Sequence, residues 1–262
     1  MEETQEVKET KKDTVIELAE FDNFKNSIDM VSGLISEATL EFDEKGMTLT
    51  AMDVSNICMV IFRFKSLGMS SYVLGTNKSV GININDMKAI LKRGKKKEKL
   101  KMLFEEDKIE IMFTGKSVRK FGLPILDLGP KESQKIPELD FSVSVDMEGE
   151  QFKEMISDAK FAGESMMMAV TEEHIVASTS GDNLKTWLLE LLPDANLIIS
   201  MSEGKEKAVS KFSTDYMEKI SAGVKISNKV KISLGMNYPV LIEFLSEHLD
   251  VKTILAPRID NN

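Results

Sequence analysis

A single cysteine, Cys58, excludes an internal disulfide and fits a reducing compartment. It lies within the apolar run Ile57 to Phe64, where it reads as a small buried hydrophobe. The two histidines, His174 and His248, stand on separate segments with no cysteine pair or carboxylate at ligand spacing, so no metal site is legible. The patterns GxxxxGKS/T, GxGxxG and GxSxG are absent, which removes the familiar phosphate-loop, dinucleotide and nucleophile-elbow signatures. No enzyme and no cofactor is expected. No apolar run approaches the roughly 20 residues that cross a bilayer. Residues 1–12 contain no apolar signal core and read as a disordered, charged extension ahead of a cytoplasmic protein. Positive charge is in deficit: 34 Lys and Arg against 43 Asp and Glu give a net −9 over 262 residues.

The deficit is uneven. Between Asn83 and Lys99, seven basic residues (Lys88, Lys92, Arg93, Lys95, Lys96, Lys97, Lys99) face two acidic ones (Asp86, Glu98). That local +5 leaves −14 for the rest of the chain. Such asymmetry suits a protein that meets a polyanion with one surface and repels it with the others. A solvated basic loop is the plainer alternative.

The chain also repeats itself at an offset of about 128 residues, with Phe24-Lys25 answered by Phe152-Lys153. The first half reads as strand (Val15 to Leu18), helix (Asp22 to Ile35) and strands Ala38 to Phe42, Met47 to Met52 and Ile57 to Phe64. The second reads as strand (Phe141 to Val145), helix (Glu150 to Phe161) and strands Ser165 to Val170, His174 to Ser178 and Leu184 to Leu191. Each half then has a second helix, Asn85 to Arg93 and Thr214 to Ala222, followed by alternating strands such as Lys108 to Phe113 and Lys229 to Leu234. Two copies of one α+β unit are expected, with residues 13–126 and 140–262 as domains. A connector at 127–139 is made extended by its prolines but carries apolar Leu128, Ile136 and Leu139.

At about 100° per residue, the helices put apolar residues on one face and lysine on the other. Met87, Ile90 and Leu91 oppose Lys88, Lys92 and Arg93; Phe152, Met155, Ile156 and Ala159 oppose Lys153 and Lys160; Phe24, Ile28, Val31 and Leu34 oppose Lys25. No aromatic residue is interleaved for base stacking, so these faces suit phosphate contact without base readout.

Three stretches carry a resemblance. Leu49-Thr50-Ala51-Met52-Asp53, the run from Gly81 to Lys95, and Leu255-Ala256-Pro257-Arg258 occur in order around a duplicated fold. Over Thr14 to Ile259 the chain resembles the DNA sliding clamps of the proliferating cell nuclear antigen family, the archaeal ones especially. The resemblance implies a ring of three subunits with helices lining the hole and antiparallel sheets outside, threaded on double-stranded DNA. It implies partners: DNA polymerase, clamp loader, flap endonuclease and DNA ligase, held through short glutamine-hydrophobic-aromatic motifs. By position, Met52, Ile57 and Met59 would line the docking pocket, with Ile136, Pro137 and Phe141 from the connector and Pro239 and Val240 beneath. Leu255, Ala256 and Pro257 would take the partner's main chain. Gln134 and Lys135 stand where the family often has apolar or small residues, which implies a more polar rim. Subunits would join through Lys116 to Leu123, with Val118 and Phe121, against Asn183 to Leu191, with Leu184, Trp187 and Leu188. A homotrimer and one subunit of a heterotrimer are both compatible with these residues, and a scaffold that collects partners without DNA is the rival function.

Overall fold

The computed structural model describes residues 13–76, 79–129, 135–180 and 186–259. The N-terminal extension at 1–12, Gln134 and Leu184 lie outside the described residues. The first half runs β1 (Thr14–Leu18), α1 (Asp22–Ser32), β2 (Glu37–Asp43), β3 (Gly46–Met52), β4 (Cys58–Lys65), β5 (Ser71–Val73), β6 (Ser79–Asn83), α2 (Ile84–Leu91), β7 (Lys99–Phe104), β8 (Lys108–Thr114) and β9 (Val118–Pro124). The second half repeats that order as β10 (Val143–Glu148), α3 (Gly149–Ala162), β11 (Ser165–Val170), β12 (Ile175–Ser180), β13 (Thr186–Leu191), β14 (Ile198–Met201), β15 (Ala208–Ser213), α4 (Thr214–Ser221), β16 (Lys229–Leu234), β17 (Val240–Leu245) and β18 (Leu249–Leu255). The chain is α+β, with two similar domains of one fold.

Each half makes a five-stranded and a four-stranded antiparallel sheet, and one of each has fused. The first half's β5-β1-β7-β8-β9 and the second half's β13-β12-β11-β15 stand alone. The second half's β14-β10-β16-β17-β18 continues directly into the first half's β4-β3-β2-β6, making nine strands. The seam is the antiparallel pair β18–β4, from Leu249↔Phe64 to Leu255↔Cys58. Because successive strand residues face opposite ways, the seam has an inner row (Val60, Phe62, Phe64, Val251) and an outer row (Met59, Ile61, Arg63, Asp250, Lys252, Ile254).

The inner faces meet the four helices. Phe24 of α1 lies against Phe62 and Phe64, at ring separations of 6.2 and 5.7 Å, and Phe152 of α3 against Phe244 at 6.3 Å. A 3-10 turn at Ala222–Lys225 follows α4 and packs on both α1 and α3, so the helices form one layer across the two halves. Gly223 is required in that turn, since a Cβ there would sit 2.4 Å from the Phe244 ring. The helix expected over Asp22 to Ile35 stops at Ser32, where Gly33 and Leu34 donate i→i−3 bonds to Met30 and Val31 and tighten the last turn. In α2 the Asn83 side chain accepts the Asp86 N–H at 3.0 Å, capping a helix that leaves β6 without a linker. The strand expected from Phe141 begins at Val143. Phe141 belongs to the connector's end, its ring edge-on to Tyr238 at 5.9 Å and its carbonyl accepting from the Ser202 hydroxyl at 2.7 Å.

Both halves finish alike. After β9, the Leu126 N–H donates to Gly81 on the edge strand β6 at 2.9 Å; after β18, the Arg258 N–H donates to Lys211 on the edge strand β15 at 2.7 Å.

Candidate functional site

The helix layer carries the basic residues read from the sequence, but it ties several of them to carboxylates. Asp29, on α1, is met by Lys88 at 2.9 Å, Lys92 at 3.7 Å and Lys225 at 3.7 Å. Three ammonium groups thus gather around one carboxylate, and Lys225 reaches it from the other half of the chain. Burial alone would raise the Asp29 pKa, but the hydrogen bond and charge of Lys88, with Lys92 and Lys225 behind, hold it below the ordinary carboxylate value. On the paired helices α3 and α4, Lys160 is bonded to Asp215. Lys25, Arg93 and Lys153 have no carboxylate partner among the described residues; Arg93 and Lys153 are exposed and Lys25 half-exposed. The layer therefore offers free cations at Lys25, Arg93 and Lys153, and a clustered excess of positive charge around Asp29. Lys225 carries no signal in the sequence, because it sits in a short turn outside any helical period.

On the opposite face of the nine-stranded sheet, the described end of the connector stands over the seam and borders an open groove of about 390 Å³. Ile136, Pro137, Leu139 and Phe141 form one wall; Ile61 and Arg63 of β4, Leu241 of β17, and Asp250, Lys252 and Ile254 of β18 form the floor. Register explains the floor. Met52, Met59, Ile254 and Leu241 make one outward row across β3, β4, β18 and β17, and Thr50, Ile61, Lys252 and Glu243 make the next. The Lys252 ammonium is held by Glu243 at 2.6 Å, so the apolar groove has a charged strip beside it.

Of the residues expected to line the docking pocket, Ile136, Pro137 and Phe141 do line this groove. Met52, half-buried, and Met59, nearly buried, continue its outward row toward the loop carrying Ile57, which is 38% exposed. Pro239, Ala256 and Pro257 are half-buried nearby in sequence to the floor strands. Two expectations need correction. The side chain of Val240 is 0% exposed, because strand alternation turns it to the core, and Leu241 faces outward instead, paired with outward-facing Ile254. The Ala256 N–H already donates to the Ile57 carbonyl at 2.9 Å, so that donor is unavailable for strand addition.

The loop between β3 and β4 is organised by Asp53. Its carboxylate accepts the N–H groups of Ile57 and Cys58, both at 2.7 Å, of Ser55 at 3.1 Å, and the Tyr216 hydroxyl at 2.6 Å. Burial opposes the charge, but those donors, Tyr216 foremost, hold the Asp53 pKa below its ordinary value. Cys58, directly after the loop, is buried and its thiol is pushed up to about 12 by burial and by Asp53, which makes it inert.

The described residues expected at subunit contacts lie on one edge strand of each separate sheet, β9 and β13. β9 presents Val118, 58% exposed, and half-buried Phe121; β13 presents half-buried Trp187 and Leu188, 68% exposed. Arg119 and Lys120 of β9 pair with Glu98, just ahead of β7, and Glu110 of β8.

Comparison with known proteins gives a consistent answer. Residues 16–124 match the family described as proliferating cell nuclear antigen, N-terminal domain, and residues 135–259 match its C-terminal domain. The chain is 29% identical over 245 residues to a protein of Thermococcus gammatolerans named DNA polymerase sliding clamp, covering 92% of this chain and 97% of that one. It is 28% identical over 239 residues to the protein of that name from Pyrococcus furiosus, covering 90% and 95%. Among solved structures, the fold is similar to the proliferating cell nuclear antigen of Thermococcus kodakaraensis, with a TM-score of 0.86, 21% identity and coverage of 94% of this chain and 100% of that one. It is likewise similar to that of Entamoeba histolytica, with a TM-score of 0.87, 20% identity and coverage of 94% and 99%.

Proposed function

The chain belongs to the proliferating cell nuclear antigen family, and from that premise we propose that it is a DNA polymerase sliding clamp closing head to tail into a ring of three copies around duplex DNA. The number three rests on the family resemblance. The observation that carries closure is the seam. The same sheet joint is made once within the chain, β18 to β4, and left unmade at both ends, where β9 is the counterpart of β18 and β13 the counterpart of β4. Joining β9 of one copy to β13 of the next repeats that joint, and repeating it extends the helix layer along one side. An unpaired edge strand is a liability that such pairing removes.

The repeat also supplies a register. The matching tail contacts equate Leu123 with Leu255, and the cross-strand pairs Ala51↔Val60 and Thr179↔Trp187 equate Val60 with Trp187. The internal pair Thr253↔Val60 then transposes to Phe121↔Trp187 between copies, with Val118 opposite Glu190. Inside such a ring the free cations Lys25, Arg93 and Lys153, and the cluster at Asp29, face the phosphates. These contacts are sequence-independent and salt-sensitive. The groove under the connector takes the glutamine-hydrophobic-aromatic motifs of a polymerase and of other replication and repair enzymes.

A Val118→Cys, Glu190→Cys variant tests the register and closure together, since the only native cysteine is buried. Oxidation should yield a covalent trimer that stays on circular DNA and slides off after linearisation. A monomeric mass with no cross-link, or equal retention on both DNAs, would overturn the ring. Charge reversal at Lys88 and Lys92 tests the DNA contacts: unchanged polymerase processivity would favour a scaffold that only gathers partners.

A further inference from the structure

The rim of the docking groove is held by the opposite half of the chain at two points. One is the main-chain bond from Ala256 to Ile57. The other is the Tyr216 hydroxyl, which enters from α4 and donates to Asp53 at 2.6 Å across 163 residues of sequence. Asp53 directly follows Met52, the β3 member of the outward row, and its carboxylate organises the loop that carries Val54 and Ile57. Val54 is 96% exposed, so its side chain does not hold the loop by packing, and Ile57 is 38% exposed. Asn56 sits at a φ of 55°, the left-handed conformation that asparagine adopts more readily than most side chains. Two of the four donors to Asp53, the Ser55 and Ile57 N–H groups, belong to the loop and would follow it wherever it moved, while the Cys58 N–H stands at the start of β4. Tyr216 is the donor that ties Asp53 to the opposite half of the chain. The tyrosine itself is fixed, half-buried on α4 with the Lys219 ammonium 5.5 Å from its ring centre.

We infer that the Tyr216 hydroxyl is a positioning group for the docking groove, holding the Asp53 loop, and with it Met52 and Ile57, in the shape a partner peptide meets. The inference rests on the docking role proposed above and adds to it a residue on the helix layer, on the far side of the sheet from the connector. A preshaped rim spares the peptide the cost of ordering the loop. It also gives the helix layer and the groove a shared contact, so a loop loosened at one end is felt at the other.

Tyr216→Phe removes one oxygen and leaves the ring, its packing and the Lys219 contact in place. The probe is a synthetic peptide with a glutamine, an aliphatic residue and two adjacent aromatics, titrated by calorimetry. Loss of a bond to a charged acceptor should weaken the peptide roughly threefold to tenfold, while ring mass stays unchanged. Amide hydrogen exchange at Ser55 and Ile57, measured without peptide, should quicken in the variant and not elsewhere. Asp53→Asn attacks the same bond from the other side, and the double variant should be no weaker than the worse single one. Unaltered exchange at Ser55 and Ile57 with unaltered affinity would overturn the inference. So would a general loss of stability with affinity preserved, which marks a merely structural tyrosine. No binding by the unsubstituted chain would instead sink the docking role on which the inference depends.

Discussion

Two adjacent residues on β17 should respond oppositely to truncation. Val240 is 0% exposed and packs in the core, whereas Leu241 faces outward on the floor of the groove. Val240→Ala deletes two buried methyl-sized groups, at about 0.8 kcal/mol each from lost transfer energy, plus a cavity contribution. A total of about 2–3 kcal/mol follows, and at about 2–4 °C per kcal/mol for a chain of this size the melting temperature should fall by about 5–10 °C. Leu241→Ala leaves the core intact, so stability should change by less than about 0.5 kcal/mol. Its effect belongs to docking: part of a leucine surface no longer covered by the partner's plug should cost about 1–2 kcal/mol, or about fivefold to thirtyfold in Kd. Thermal unfolding and peptide calorimetry on both variants give four numbers. The opposite pattern, with Val240→Ala binding poorly at full stability and Leu241→Ala melting early, would refute the assignment of faces on which the groove is built.

Lys153→Ala and Lys160→Ala should separate free from paired charge: Lys153 has no carboxylate partner among the described residues, while Lys160 is bonded to Asp215. Plotting retention on circular DNA against salt, loss of a free phosphate contact should shallow the slope by about 0.9, with a smaller change for Lys160; equal slopes for both would count against the assignment. Tyr72 donates to the Asp43 and Gly46 carbonyls and is pushed up to about 12 by burial and the Asp43 charge. Its folded pKa lies above the unfolded value near 10, so its contribution is complete below about pH 10 and lost as the pH rises through about 12. Denaturant midpoints of Tyr72→Phe should therefore flatten over that interval, and a dependence as steep as in the unsubstituted chain would refute the role.

The duplicated order of elements was legible because each copy carries amphipathic helices of clear period and strands in the same succession. The apolar faces of those helices were legible for the same reason: Phe152, Met155, Ile156 and Ala159 recur at helical spacing and are buried together. The floor of the groove was not. Pro239 to Ile242 has no alternation between apolar and polar residues, so nothing in the sequence says which of Val240 and Leu241 faces the core. Register decides it, through pairs such as Leu241↔Ile254 that lie far apart in the chain. Arg63, Asp250 and Lys252 escaped notice because charged residues on strands look like ordinary solvent-facing positions until a connector crosses them. The three lysines at Asp29 and the Tyr216 bond to Asp53 share one cause: both unite the two halves, and no local pattern records such a meeting. The short edge strands β5 and β14, three and four residues long, leave too few positions for a period to show.

The tail contacts after β9 and β18 limit how copies of this chain can grow. Leu126 and Arg258 occupy the backbone edges of β6 and β15, and β5 and β14 are short edges. Among the described residues, the long edges left open are one of each kind, β9 and β13. A molecule with a single plug and a single socket cannot branch, so its assemblies are chains with two loose ends or loops with none. Every added copy satisfies one edge and exposes another, and only the copy that meets the first leaves nothing exposed. Closure therefore requires no separate recognition of the finished circle, and the same economy means that prising apart any one joint opens the whole.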